Sequence, residues 1–371
     1  MQVRRIDGLC RRDRGRFVMF PFSLYRGCPE WVPPMVAGEM ALLKRRHPFF
    51  EHSEADFFVA EEGKQVLGRI AVMENRNCNA YRGTESAFFG CFDAVQDREV
   101  AQALFDAAYQ WARERGLTEM LGPRGWIGAD ATGVLVEGFE HRPALNVSYN
   151  YPYYDDLVRS AGLDPDTDHL SGYLPADYQL PSRFYELAAK VSARRGLRIK
   201  TFHTRAEMRE WVPRVAEVHR RAFEGTHTFY PPTEREIQAL AETIISVAEP
   251  GLIKLVLRGD EIVGFILAYR DLSAGLQRAR GRVWPLGWAH LLWERRHATW
   301  VDVNGLGLLP EYQGLGGNVL LYTELSASVR AHGFRHVDVV MVDEHNSRSR
   351  ADMEAIGVRW YKRHRCYRRA L

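Results

Sequence analysis

The stretch Ala298–Arg330 reads ATWVDVNGLGLLPEYQGLGGNVLLYTELSASVR, and the organisation of the chain follows from it. An apolar, strand-like run ends at Leu308–Leu309. Pro310 stops ladder pairing because it has no amide hydrogen to donate. A tight turn follows, Gln313-Gly314-Leu315-Gly316-Gly317-Asn318. Behind it Val319, Leu320, Tyr322, Thr323, Leu325 and Val329 recur at helical spacing. A strand entering a Gly-rich turn and then a helix start is the geometry that holds a phosphate. Glycines let the backbone approach the anion, and the first-turn amides point at it. The competing reading is a helix packed closely on a sheet.

The wider composition narrows the field. With 371 residues, 46% of them hydrophobic, the chain is long enough for two domains. A formal charge of +3 is too small to argue for a nucleic-acid-binding protein. Cys10, Cys28, Cys78, Cys91 and Cys366 are scattered, with no CxxC pair, which predicts free thiols in a reducing, cytoplasmic setting. No histidine or cysteine spacing suggests a metal, and no apolar run is long enough to cross a membrane.

The two halves carry the same order of elements. FFVAEEGKQVLGRIAV from Phe57 aligns with IKLVLRGDEIVGFILA from Ile253, setting Gly63 on Gly259 and Gly68 on Gly264. Both read as hairpins around a glycine. Asp97 predicts the N-cap of a helix ending before Gly116, and Thr204-Arg-Ala-Glu207 and Thr233-Glu-Arg-Glu236 are capping boxes. We infer an internal duplication, dividing the chain into domains 1–175 and 176–371. Asp97 and Glu99 then fall opposite Gly314 and Gly316. Two carboxylates would repel a pyrophosphate, so an anion belongs to the C-terminal copy alone.

Leu306-Gly-Leu-Leu-Pro310-Glu-Tyr-Gln313-Gly-Leu-Gly316-Gly-Asn318 resembles the pyrophosphate motif of the GNAT acyltransferase superfamily, and Asn346, Ser349 and Ile356-Gly357 look like its second CoA-side motif. The whole chain resembles a bacterial tandem-GNAT family. The resemblance implies an α/β (α+β) fold of two tandem GNAT-like domains, each a mixed, mostly antiparallel sheet flanked by helices, the N-terminal one degenerate. It also implies acetyl-CoA or another acyl-CoA as co-substrate. Amides of Leu308 and Leu309 would meet the pantetheine arm and the thioester carbonyl. Amides of Gln313, Gly314, Leu315, Gly316, Gly317 and Asn318 would hold the pyrophosphate, with Asn346 and Ser349 beside the pantetheine.

Two positions depart from the family pattern. Asn318 stands where a small residue is usual, and Met353 stands where many members carry an acidic tyrosine. Tyr361 and Tyr367 are the substitutes the sequence offers. Asp302 and Asn304 alternate on the key strand and share a face, which makes Asp302 a candidate base for an ammonium acceptor and Asn304 a substrate contact. The irregular segment 122–154 carries Trp126, Asp130, Asn146, Asn150, Tyr153 and Tyr154 as candidate acceptor contacts.

Segment 276–297 sets Trp284, Trp288, Leu291 and Leu292 on one helical face bordered by arginines. It reads as a helix packed on the sheet, a lid over the acceptor, an acyl-chain wall, or a dock for an acidic carrier or a membrane surface. The basic run Lys362–Arg369 reads as a contact for CoA phosphates or as a charged edge strand. The expected activity is acyl transfer from acyl-CoA to a small-molecule amine by direct attack. Alternatives are a donor carried on acyl carrier protein or tRNA, and a non-catalytic CoA-binding module. The acceptor and the oligomeric state leave no trace in the sequence.

Overall fold

The computed structural model describes residues 1–126, 132–226 and 229–371. Asp130, one of the expected acceptor contacts, lies outside them. In chain order the elements are β1 (Gln2–Arg5), α1 (Arg11–Leu24), α2 (Val36–Leu43), β2 (Glu54–Glu62), β3 (Gln65–Glu74), α3 (Arg76–Arg82), β4 (Ser86–Ala94), α4 (Arg98–Arg113), β5 (Glu119–Gly122), β6 (Val134–Glu137), α5 (Tyr154–Ser160) and β7 (Asp164–Pro175). There follow α6 (Ser182–Arg195), β8 (Leu197–Thr201), α7 (Arg205–Phe223), α8 (Glu234–Val247), β9 (Lys254–Arg258), β10 (Glu261–Arg270), α9 (Ser273–Ala279) and α10 (Gly287–His297). The chain closes with β11 (Trp300–Leu308), α11 (Gly317–Ala331), β12 (His336–Asp343), α12 (Ser347–Ala355) and β13 (Arg359–Ala370).

Two compact units form. The first comprises Met1–His169, Ser273–Glu294 and Lys362–Leu371, the second Leu170–Leu272 and Arg295–Tyr361. The units therefore cut across a division at residue 175. The first unit takes its last strand from the end of the chain, and residues 170–175 of β7 are counted in the second.

In the first unit β1, β2, β3 and β4 are joined antiparallel, β4 and β5 run parallel, and β5 pairs antiparallel with β13. In the second, β8, β9, β10 and β11 are antiparallel neighbours and β11 runs parallel to β12. The duplication extends to the hydrogen-bond ladder. Ala60 pairs with Gly68 and Glu61 with Val66, leaving Leu67 as an extra residue; Val256 pairs with Gly264 and Leu257 with Ile262, leaving Val263 as one. Neither glycine has room for a side chain: a Cβ on Gly68 would meet Leu104, and one on Gly264 would meet Leu308.

The helices follow their sequence signals. α4 buries Val100, Leu104, Phe105, Ala108, Trp111 and Ala112, one helical stripe. At α8, Thr233 Oγ1 accepts from Glu236 N–H at 3.2 Å, and the Glu236 carboxylate accepts from Thr233 N–H at 2.8 Å. At α7 only half of the box closes: Thr204 accepts from Glu207 N–H, while the Glu207 carboxylate is taken by His203 N–H and Lys200.

The basic run near the C-terminus is neutralised within the first unit. Asp168 on β7 accepts from Arg363 at 2.9 Å and from Arg365 at 2.7 Å. Arg368 lies 3.3 Å from Asp166, and Arg369 donates to the Ala161 carbonyl at 2.6 Å. A role for these side chains as CoA phosphate contacts is thus replaced by an internal one. Bidentate, charge-assisted bonds to one buried carboxylate organise the strand.

His364 on this strand is fully buried, and Nε2 lies 3.0 Å from the Ser148 carbonyl. That acceptor requires the neutral ring to carry its proton on Nε2, and protonating Nδ1 would place a charge in the core. Burial, with Lys362 and His169 nearby, pushes the imidazole down to about 4. The unfolded chain binds this proton first, near pH 6.5. Stability is therefore full above that pH and falls as pH drops from 6.5 towards 4, by about 3 kcal/mol for this site. His364→Gln keeps a donor for Ser148 and does not titrate, so denaturant melts of this variant should show a flatter pH dependence across that window. An unchanged slope would remove His364 as its cause.

Candidate active site

The site grows from the point where β11 and β12 part. β12 is in register with β11 from Trp300 to Val303, whereas β10 follows β11 to Leu308. Between Val303 and Leu306, β11 carries one residue more than β10, a bulge at Asn304–Gly305 with Gly305 at φ +115°. In an antiparallel pair, residues alternately exchange both backbone bonds with their partners and turn both groups away. Leu309 N–H donates to the Val263 carbonyl at 2.9 Å. By that alternation Gly307 is also bonded to β10, while Leu306 and Leu308 turn their amides to the side β12 has left. The expected donor pair is corrected accordingly. Leu308 faces the opening, Leu309 is committed to β10, and Leu306, to which the sequence assigned no donor role, shares the parity of Leu308.

Beyond Leu309 the turn is refined in the same way. Gln313 N–H is directed at the Pro310 carbonyl and Leu315 N–H at that of Tyr312, both at 3.3 Å. The amides of Gly314, Gly316, Gly317 and Asn318 take no backbone acceptor among the described residues. Gly316, the N-cap of α11 at φ +86°, has no side chain to cap the helix. Four amides at the positive end of α11 are thus left without a backbone acceptor.

Side chains brace this turn from outside. Gln313 Nε2 donates to the Leu308 carbonyl at 3.3 Å, and Arg348 donates to Gln313 Oε1 at 2.8 Å, which brings a cation beside the turn. Asn318 Nδ2 donates to Asp352 at 2.6 Å, tying α11 to α12 and accounting for its departure from the family pattern. Asn346 caps α12 by accepting from Ser349 N–H at 3.0 Å, so these two expected CoA contacts are engaged with each other. Met353 is buried in the core of the second unit.

At the fork a polar row crosses three strands. Tyr269, Asp302 and Asp338 are register partners on β10, β11 and β12 and share a face. Asp302 is 1% exposed and Asp338 2%. Asn304 Nδ2 donates to the Tyr269 hydroxyl at 2.7 Å, and Tyr361 donates to Asp338 Oδ2 at 2.8 Å. Burial first, then the Asp338 charge, push the Tyr361 phenol well above its ordinary value. A phenol so held keeps its proton. Tyr361 is therefore an orienting donor to Asp338.

The other expected residues are elsewhere. Tyr367 lies in the core of the first unit and donates to Asp155 at 2.5 Å. Tyr154 is fully buried there, with its hydroxyl 2.7 Å from that of Tyr25 and 3.2 Å from Asp93, and Arg69 donates to the same Asp93 at 2.8 Å. Tyr153 donates to the Ala94 carbonyl at 2.9 Å. Trp126 packs edge-on against Phe49 with ring centres 5.3 Å apart. These aromatics build the first unit's core, so the substrate contacts expected from them are withdrawn. Asn150 likewise bridges the amide and carbonyl of Leu135.

Among the described residues the first unit has neither half of the site. Arg124 N–H donates to the Phe89 carbonyl at 2.8 Å, and the Arg124 carbonyl lies where a side chain on Gly90 would be, so the gap beside β4 is filled by the chain itself. Asp97 accepts from Glu99 N–H at 2.8 Å, placing a carboxylate of the protein where the second unit offers bare amides.

This architecture is the GNAT fold in tandem form. The chain superposes on a tandem GNAT protein from the clavulanic acid biosynthesis pathway with a TM-score of 0.60 and 14% identity, covering 100% of this chain and 98% of that one. A GCN5-related N-acetyltransferase from Anabaena variabilis gives 0.53 and 11%, covering 100% and 73%. No family model matches the sequence. Among curated proteins, it is similar to Protein YghO of Escherichia coli, 25% identical over 98% of this chain and 94% of that one. It is also similar to the bacterial ceramide synthase of Caulobacter vibrioides, 26% identical over 96% and 94%.

Proposed function

We propose that the second unit binds an acyl-CoA and transfers its acyl group to the amine of a long-chain amino alcohol. The observation that carries this is the opened edge of β11, where the amides of Leu306 and Leu308 precede the Gly314–Asn318 turn. The turn would take the pyrophosphate and the opened edge the pantetheine. One of the two β11 amides would lie on the thioester carbonyl oxygen, where negative charge develops. Asp302 would accept a proton from the ammonium. The free amine then attacks the carbonyl carbon, the C–S bond breaks, and the proton shed by the nitrogen as it becomes an amide goes to the leaving thiolate, giving CoA thiol. Pantetheine thiolate is a competent leaving group near neutral pH, so Met353 at the usual acid position is compatible with turnover.

A ceramide is an N-acylated long-chain amino alcohol, and the Caulobacter relative, similar over nearly the whole of both chains, supports that acceptor class. Calorimetry should detect saturable acetyl-CoA or palmitoyl-CoA binding, and thiol release should require sphinganine. Binding without release for any amine would reduce the chain to a CoA-binding module. Reaction only from an acylated carrier protein or charged tRNA would move the donor.

A further inference from the structure

α10 is turned outward. Its buried residues are Gly287 and Glu294, and the apolar stripe expected against the sheet faces solvent. Trp284 is 80% exposed, Leu286 68%, Trp288 46%, Leu292 51% and Trp293 52%. With Val283, six of the twelve exposed large apolar side chains among the described residues fall in this one segment. Scattered exposed leucines are ordinary on a protein surface; a contiguous cluster with three tryptophans is not.

The segment is firmly seated in the first unit. Gln277 donates to the carbonyls of Pro29 and Trp31 at 2.7 and 3.0 Å, and Val36 N–H donates to that of Gly281 at 2.9 Å. Gly275 and Gly287 bring α9, α10 and the loop between them into close contact, since a Cβ on either would meet Glu294 or the Arg282 carbonyl. The cluster is thus presented on a fixed hairpin. Residues 276–297 carry five arginines and one glutamate, a formal +4, and that glutamate is buried against Arg278.

We propose that this hairpin docks the protein on an anionic phospholipid surface. An eleven-residue helix is too short to cross a bilayer but fits one lying in the interface plane, with tryptophans at headgroup depth and arginines on the phosphates. The surface stands independently of the acceptor; for a long-chain amine it would bring the protein to where such molecules reside.

The test is vesicle flotation of the full chain, which needs no acyl transfer. The protein should float with phosphatidylglycerol–phosphatidylcholine vesicles, less with phosphatidylcholine alone, and less at high salt. Trp284→Ser/Leu286→Ser/Trp288→Ser should lower partitioning by at least about tenfold with an unchanged thermal midpoint, because all three side chains are exposed. Arg280→Gln/Arg282→Gln should reduce the preference for anionic vesicles. Should the triple variant fail to fold, quenching of wild-type tryptophan fluorescence by brominated lipid decides the matter. Absence of flotation and quenching overturns the proposal. So does a triple variant that floats normally, or one that merely converts a dimer to a monomer.

Discussion

Gly314→Asp is expected to weaken acyl-CoA binding by about 100-fold or more while leaving the protein folded. Gly314 sits at φ +71°, and a Cβ there would have nothing within 4 Å. Aspartate is among the few side chains that adopt this backbone region, at a cost of about 1–2 kcal/mol. Its carboxylate would stand beside the amides proposed to hold the pyrophosphate, as Asp97 stands beside the Glu99 amide in the first unit. Repulsion between unit charges a few ångströms apart is about 1–4 kcal/mol near a protein surface, and a hundredfold loss corresponds to about 2.7 kcal/mol. Gly316 is a poorer place for this test. Its Cβ would lie 2.6 Å from Val191 of α6, so a substitution there disturbs packing as well as charge. Unchanged calorimetric affinity in a folded Gly314→Asp variant would rule out the turn as the phosphate site.

Asp302→Asn is expected to lower kcat by about 10²–10³-fold with little change in the KM for acyl-CoA, the loss typical of a missing general base. If Asp302 only supports the fold, the variant will instead melt earlier while each folded molecule turns over normally. Full turnover at an unchanged midpoint would remove Asp302 from the reaction.

What could be read from the sequence was what leaves a local trace. The turn was legible because positive φ favours glycine at Gly314 and Gly316. The hairpins were legible through Gly63 and Gly259 at their turns, both at positive φ, and their likeness through Gly68 and Gly264, whose missing side chains make room for Leu104 and Leu308. β7 left no such trace. Its buried residues include Thr167, Asp168, His169 and Ser171, and polar residues become a strand interior only because Arg363 and Arg365, almost two hundred positions later, satisfy Asp168. The amide at Leu309 failed on parity: successive strand residues point opposite ways, and the bulge at Asn304–Gly305 sets the phase of everything after it. For α10 the periodicity defined a stripe but not its direction. Burial of Tyr154 and Tyr367 depended on partners distant in sequence.

The strand taken from the end of the chain has a consequence for synthesis. The first unit is made first yet is completed last, since β5 has no partner in β13 until residues 362–371 have emerged. Until then β5 is an open edge, and Asp166 and Asp168 wait without their arginines. A gene split at the midpoint of the duplication would therefore not release two self-sufficient proteins. The repeat has become a single inheritance, its first half unable to fold to completion apart from the second.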